Sequence, residues 1–292
     1  MFRTRLLSGI LLVIIALATI LSGGVVLAVT LCAISVIAFS ELTKACGVHT
    51  EGKKYNAPEL SGIVMTVLYY VLLFATLSQS GQEGGGRMQV YPVIVIIVAV
   101  CLILLLFVYV FTFPRYKAPQ IMASMFSWLY APVMLSFIYL SREGFTQGSY
   151  LVWFVFLCSW GSDTCAYAVG VLIGKHKMTP RLSPKKSIEG AVGGVLGAAL
   201  LFVLYTHFAI NKYTDASIPL LLAAVLGAAG ALVSMVGDLA ASAVKRDHDI
   251  KDYGKLIPGH GGIMDRFDSV IIAAPLIYIG LAVIASLGGG IG

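Results

Sequence analysis

Long apolar runs broken by short polar punctuation make up most of this chain. Nine such runs lie near residues 6–22, 24–46, 61–79, 90–113, 120–141, 149–174, 188–210, 217–244 and 267–288. Each is close to the roughly 20 residues that a helix needs to cross a bilayer. The pattern predicts an all-α, polytopic integral membrane protein of nine transmembrane helices. No soluble domain fits between the runs, and no short repeat or low-complexity array is present. "SGQEGGGR", around residue 84, reads as a flexible loop without chemistry. The opening "MFRTRLLSGILLVIIALATILSGG" has the basic-then-apolar order of a signal peptide, but a second apolar run follows at once, so it reads as a retained first span. We divide the chain into N-terminal transmembrane helices, 1–145, and a C-terminal region carrying the chemistry, 146–292.

Composition agrees. Hydrophobic residues are 59% of the 292 positions and charged residues 12%, against about 25% charged in soluble domains, and mean hydropathy is +0.92. The five cysteines, Cys32, Cys46, Cys101, Cys158 and Cys165, lack metal or disulfide spacing and read as small buried hydrophobes. Basic residues accumulate in cytoplasmic loops. With the N-terminus inside, all but Arg87, Arg142 and Lys212 of the 20 Lys and Arg fall on the cytoplasmic side. That bias supports an odd number of spans and puts two dense polar segments, 175–187 and 245–266, on the same face.

The second segment, "KRDHDIKDYGKLIPGHGGIMDRFDS", mixes both signs of charge, whereas a loop that only sets topology needs Lys and Arg alone. Ionisable groups at membrane depth cost roughly 3 kcal/mol each and are usually functional. Asp163 lies within the sixth span, Asp238 near the cytoplasmic end of the eighth, and Asp265 and Asp268 open the ninth. Helical spacing puts Asp238, Ser242 and Lys245 or Arg246 on one face, and Asp265 and Asp268 on another. Such carboxylates suit magnesium, which takes one or two of them together with substrate phosphates. We expect Asp238 and Asp265 as ligands, with Asp163 or Asp268 completing that site or forming a second cation site. Asp247, Asp249 and Asp252 read instead as partners of neighbouring Lys and Arg, Lys251 with Asp252 among them. Gly170 and Gly174 form a small-residue pattern read as helix packing.

Two stretches suit phosphate. "IPGHGG" places Gly261 and Gly262 ahead of a helix start, where backbone can approach an anion and N–H groups are unpaired. "RLSPKKSIEGAVGG" places Ser183, Lys185 and Lys186 before a helix opening near Ser187 and Glu189, and lysines there bind phosphate as point charges. The ensemble points to a phosphorylated substrate without choosing a reaction.

"SAVKRDHDIKDYGKLIPGHGGIMDRFD", Ser242 to Asp268, resembles the signature of the phosphatidate cytidylyltransferase family, S-x-x-K-R-x4-K-D-x-G-x2-[LIF]-P-x-H-G-G-x2-D-R-x-D, at every specified position. "DTCAYAVGVLIGKHKMTPRLSPKKSIEGAVGG", Asp163 to Gly194, is similar to the family's upstream block. The resemblance implies the reaction of CTP with phosphatidate to give CDP-diacylglycerol and pyrophosphate, with Mg2+ required. It assigns Lys186, Lys245, Arg246, His260 and Arg266 to catalysis. Ser183, Lys185, Ser187, Glu189, Lys251, Lys255, Gly261 and Gly262 go to substrate binding, and Asp163, Asp238, Asp265 and Asp268 to metal. It further implies a homodimer; the compact length reads as bacterial, and the distribution of Lys and Arg puts the active face on the cytoplasmic side of the inner membrane, with no nucleic-acid partner expected. The rival readings are another CTP-dependent lipid enzyme, such as a polyprenol kinase or an ether-lipid CDP synthase, and a secondary transporter. Transporters place such carboxylates at the midplane, whereas here they gather at one face.

Overall fold

The computed structural model describes residues 2–49, 55–80, 86–259 and 261–291. His260, Lys53, Lys54 and the centre of the glycine-rich loop at 81–85 lie outside the described residues. Among those described, the predicted spans are all helical: α1 Phe2–Ser22, α2 Gly24–Ala45, α3 Ala57–Ser80 and α4 Gly86–Thr112, then α5 Ala118–Glu143, α6 Gly148–Ile173 and α7 Ile188–Tyr213, then α8 Leu220–Asp247 and α9 Met264–Ser286. Large apolar side chains remain exposed along them, such as Val110, Leu172, Leu196 and Leu221. A soluble protein would bury such a surface; a bilayer solvates it. The chain is an all-α, multi-pass membrane protein.

Packing divides it into two units. The first is Met1–Tyr139 with His248–Arg266, and the second is Leu140–Asp247 with Phe267–Gly292. Thus the glycine-rich part of the charged stretch packs with the N-terminal helices rather than with the remainder of 146–292.

In the first unit, Gly23 and Gly24 take positive φ, 62° and 48°, which lets α1 turn directly into α2. α3 opens with Glu59 reaching back to the N–H of Asn56 at 2.8 Å, half of a capping box. The same carboxylate meets His49 Nδ1 at 3.0 Å. Tyr69 and Tyr70 are buried in the core. Their hydroxyls bond Ser136 Oγ at 2.7 Å and Ser35 Oγ at 2.9 Å, so polar groups are matched where no water reaches them. Pro132 lies in a widened, π-helical turn, Leu129–Val133, within α5.

The second unit is packed through glycine. Gly193 rests on Val169, Gly197 on Cys165, Gly227 on Phe202 and Gly230 on Cys158. Small residues let backbones approach where the hydrophobic effect cannot drive helices together. Gly170 and Gly174 serve packing as expected, both lying against Ser187 Oγ. A two-stranded antiparallel hairpin, β1 Lys177–Thr179 and β2 Ser183–Ser187, interrupts the helices between α6 and α7. Cys101 and Cys158 are buried, while Cys32, Cys46 and Cys165 are half-buried.

Candidate active site

Three elements of the second unit bring acidic side chains together. Asp163 follows a π-helical turn, Leu157–Gly161, in α6. Asp238 lies on α8 beside Gly237, and Gly237 presses against the Asp268 carbonyl and Ile272 of α9. That close approach places Asp238 near Asp268. Asp163 is in electrostatic contact with Lys186 and Asp238. Asp268 is likewise in contact with Asp238, Lys245 and Asp163. Its Oδ1 accepts the N–H of Ser269 at 2.8 Å.

The hairpin supplies the countercharge. Along β2 Lys185 is exposed and Lys186 half-buried, and Lys186 Nζ pairs with Asp238 Oδ2. The nitrogen itself is sealed from solvent. The strand ends at Ser187, whose Oγ accepts the N–H of Gly190 at 3.1 Å and caps α7. Glu189, in the first turn, accepts His176 Nδ1 at 2.6 Å and the His176 N–H at 3.2 Å. Ser187 and Glu189, both expected to bind substrate, therefore also fix the hairpin to the helix. A cavity of about 410 Å³ opens beside the cluster. Asp163, Tyr167, Lys177, Lys185, Lys186 and Met235 line it, so an apolar wall faces cationic and acidic groups.

The donor set can be tested against magnesium. Among the described residues, no three carboxylate, imidazole or thiol groups stand close enough to enclose an ion. Magnesium, however, is usually held by one or two carboxylates with substrate phosphates completing its octahedron. Asp163, Asp238 and Asp268, with lysines beside them to take phosphate charge, fit that shared mode.

The glycine loop is built differently and belongs to the first unit. Asp249, just past the end of α8, takes φ 52°, a reversal that ends the helix. Ile257 N–H bonds the Gly261 carbonyl at 2.9 Å, and Gly259 and Gly261 take φ 79° and 83°. Asp265 is 9% exposed. Its Oδ2 accepts the Tyr253 N–H at 2.8 Å and the Gly262 N–H at 3.0 Å. The residue expected as a leading metal ligand thus spends that oxygen on the backbone of its own loop. Lys251, Lys255 and Arg266 are exposed, as is Arg246 at the end of α8. Among the described residues, no ion pair holds Asp247, Asp249 or Asp252. The expected pairing of Lys251 with Asp252 is not formed.

One site residue escaped sequence reasoning. Glu41 of α2 is 8% exposed, and its carboxylate accepts the N–H groups of Ile263 and Met264 at 3.2 and 2.8 Å. The available signal was the one that singled out Asp163, an acidic residue inside an apolar span.

Comparison with known proteins places this architecture. A phosphatidate cytidylyltransferase of Staphylococcus aureus is 30% identical over 280 residues, covering 95% of this chain and 98% of that one. One from Staphylococcus epidermidis is 31% identical over 277 residues with the same coverage. One from Staphylococcus saprophyticus is 40% identical over 149 residues, 51% of this chain and 55% of that relative. A cytidylyltransferase family model matches residues 3–284, and this multi-pass membrane chain belongs to that family.

Proposed function

We propose that the protein is a phosphatidate cytidylyltransferase, joining CTP and phosphatidate into CDP-diacylglycerol with release of pyrophosphate. A phosphatidate oxygen attacks the α-phosphorus of CTP, a new P–O bond forms, and the bond to the β-phosphate oxygen breaks. A phosphomonoester has a second pKa of about 6, so its oxygen is already anionic and no strong general base is needed. The enzyme's task is to hold two anions together and neutralise the leaving group, and positioning and electrostatics dominate that chemistry. This explains carboxylates and lysines without a nucleophilic side chain.

The observation that carries the reading is the cluster of Asp163, Asp238 and Asp268 with Lys186, set beside a cavity with an apolar wall. One or two of Asp163, Asp238 and Asp268 would hold Mg2+, which would supply positive charge to neutralise the phosphates. Lys186, oriented by Asp238, and Lys185 and Lys245 neutralise phosphate. Arg246, Lys251, Lys255 and Arg266, exposed on their elements, attract the nucleotide from solution. His260 acts on the pyrophosphate side. Asp265 organises the loop, a role its backbone bonds support better than ligation. The active face is cytoplasmic, as the distribution of Lys and Arg indicates, in the inner membrane of a bacterium, and the enzyme works as a homodimer.

The test is formation of CDP-diacylglycerol and pyrophosphate from phosphatidate and labelled CTP by purified protein in detergent. The expected result is product that requires Mg2+ and disappears with chelator. No product from folded protein would refute the assignment.

A further inference from the structure

Glu41 is left without a role by the reaction as described. It lies on α2, 222 positions from Ile263, yet its carboxylate takes the two N–H groups at the opening of α9. Those groups have no partner within their own helix, and negative charge is favoured at that end of the helix dipole. A buried carboxylate is tolerated only where its oxygens are hydrogen-bonded. The charged stretch is also shaped around this side chain. A Cβ added at Gly254 or at Gly262 would collide with the Glu41 carboxylate. Gly262, which reads as a phosphate glycine in the sequence, therefore leaves room for Glu41. Asp265 completes the arrangement by taking the N–H groups of Tyr253 and Gly262. Two carboxylates, one from α2 and one from α9, thus pin four amides at the two ends of the segment from 253 to 264.

We propose that Glu41 is a positioning residue for cytidylyl transfer. Its carboxylate holds the glycine loop and the first turn of α9 in the conformation that receives the phosphates of the nucleotide. The kinetic half of this inference rests on the function proposed above; the anchoring half does not. Glutamine at 41 keeps the shape but presents an N–H2 group to one of two N–H donors, so it loses one bond and adds a donor–donor contact.

Full-length protein in detergent serves for the experiment, as wild type, Glu41→Gln, Glu41→Ala, Gly254→Ala and the double variant Glu41→Ala/Gly254→Ala. Amide hydrogen exchange reads the anchoring, and separate KM values for CTP and phosphatidate read its use. In Glu41→Gln, exchange across 253–264 should rise about tenfold while α3 is unchanged, because only the loop loses its hold. KM for CTP should rise about tenfold or more, with KM for phosphatidate within about twofold, since uniform binding of one substrate is lost. Gly254→Ala should move both readouts in the same direction. In the Glu41→Ala background it should add less than about twofold, because the new methyl enters vacated space.

Wild-type exchange and KM in Glu41→Gln would overturn the proposal, and so would independent, multiplying effects of Glu41→Ala and Gly254→Ala. Equal rises in both KM values, or lost activity tracking lost folded protein, would reduce Glu41 to a structural role and overturn it as well. If Glu41→Gln does not fold, Gly254→Ala decides by the same two readouts. If wild-type protein does not turn over CTP, the function assignment fails separately. Exchange alone then judges the anchoring: faster exchange in Glu41→Gln upholds it and unchanged exchange overturns it.

Discussion

The protein uses the acidic residues of its helices in two opposite ways. In the second unit, Asp238 keeps 27% of its side chain exposed and pairs with the lysine Lys186, and Asp163 lines an open cavity. In the first unit, Glu41 and Asp265 are 8% and 9% exposed, and each takes two backbone N–H groups. A carboxylate facing a lysine side chain and a cavity can exchange that partner for a metal or a substrate. A carboxylate saturated by amides cannot do so without releasing the backbone. What differs between the two regions is whether the partner is a side chain or a main chain that cannot move. The first arrangement suits chemistry and the second suits architecture.

That contrast predicts a hierarchy of losses. Asp238→Asn should have the largest effect, lowering kcat/KM by about 10³-fold in the CDP-diacylglycerol assay, the scale expected when charge stabilisation at a phosphoryl centre is removed. Because it also strands the sealed ammonium of Lys186, Asp268→Asn should run beside it and show a loss of similar order. Lys186→Met should cost about 10²-fold, since neighbouring lysines share the neutralisation of phosphate. Asp265→Asn should cost only about tenfold, because its amide oxygen can still accept a backbone N–H, and its dependence on Mg2+ should match wild type. An Asp265→Asn loss equal to that of Asp238→Asn, with a raised Mg2+ requirement, would erase the distinction between the two regions. The smallest expected effect is on stability alone. Tyr70→Phe leaves Ser35 without its 2.9 Å partner and should cost about 1 kcal/mol, read as a few degrees in Tm with activity unchanged at assay temperature.

The spans were legible because each is a long apolar run, and hydropathy alone decides what crosses a bilayer. The start of α7 was legible as well, since Ser187 ahead of an apolar run is a cap and does cap. The hairpin before it was not. Its strand residues Ser183–Ser187 include Pro184 and two lysines, a composition poor in strand formers, and tertiary context overrides it. The start of α9 was read three residues late because the glycine turn hides the first helical positions, Met264 to Arg266. Among the acidic residues singled out, Asp163, Asp238 and Asp268 stand in electrostatic contact in the second unit. Asp265 shares their motif and not their contacts. Spacing of i, i+3 reports a shared helix face, but it cannot report that a loop folds back to claim one of the two carboxylates. Glu41 was invisible to motif reading because its partners lie more than 200 positions away.

The most direct test of the central claim is a Mg2+ titration of CDP-diacylglycerol synthesis by wild type, Asp238→Asn and Asp268→Asn, each checked for folding in detergent. The account predicts a saturable Mg2+ requirement in wild type. In both variants the curve should shift to higher Mg2+ and the plateau rate should fall by about 10³-fold. Variants with wild-type midpoint and rate, or a wild type indifferent to chelator, would contradict the assignment of this acidic cluster as the metal-binding centre.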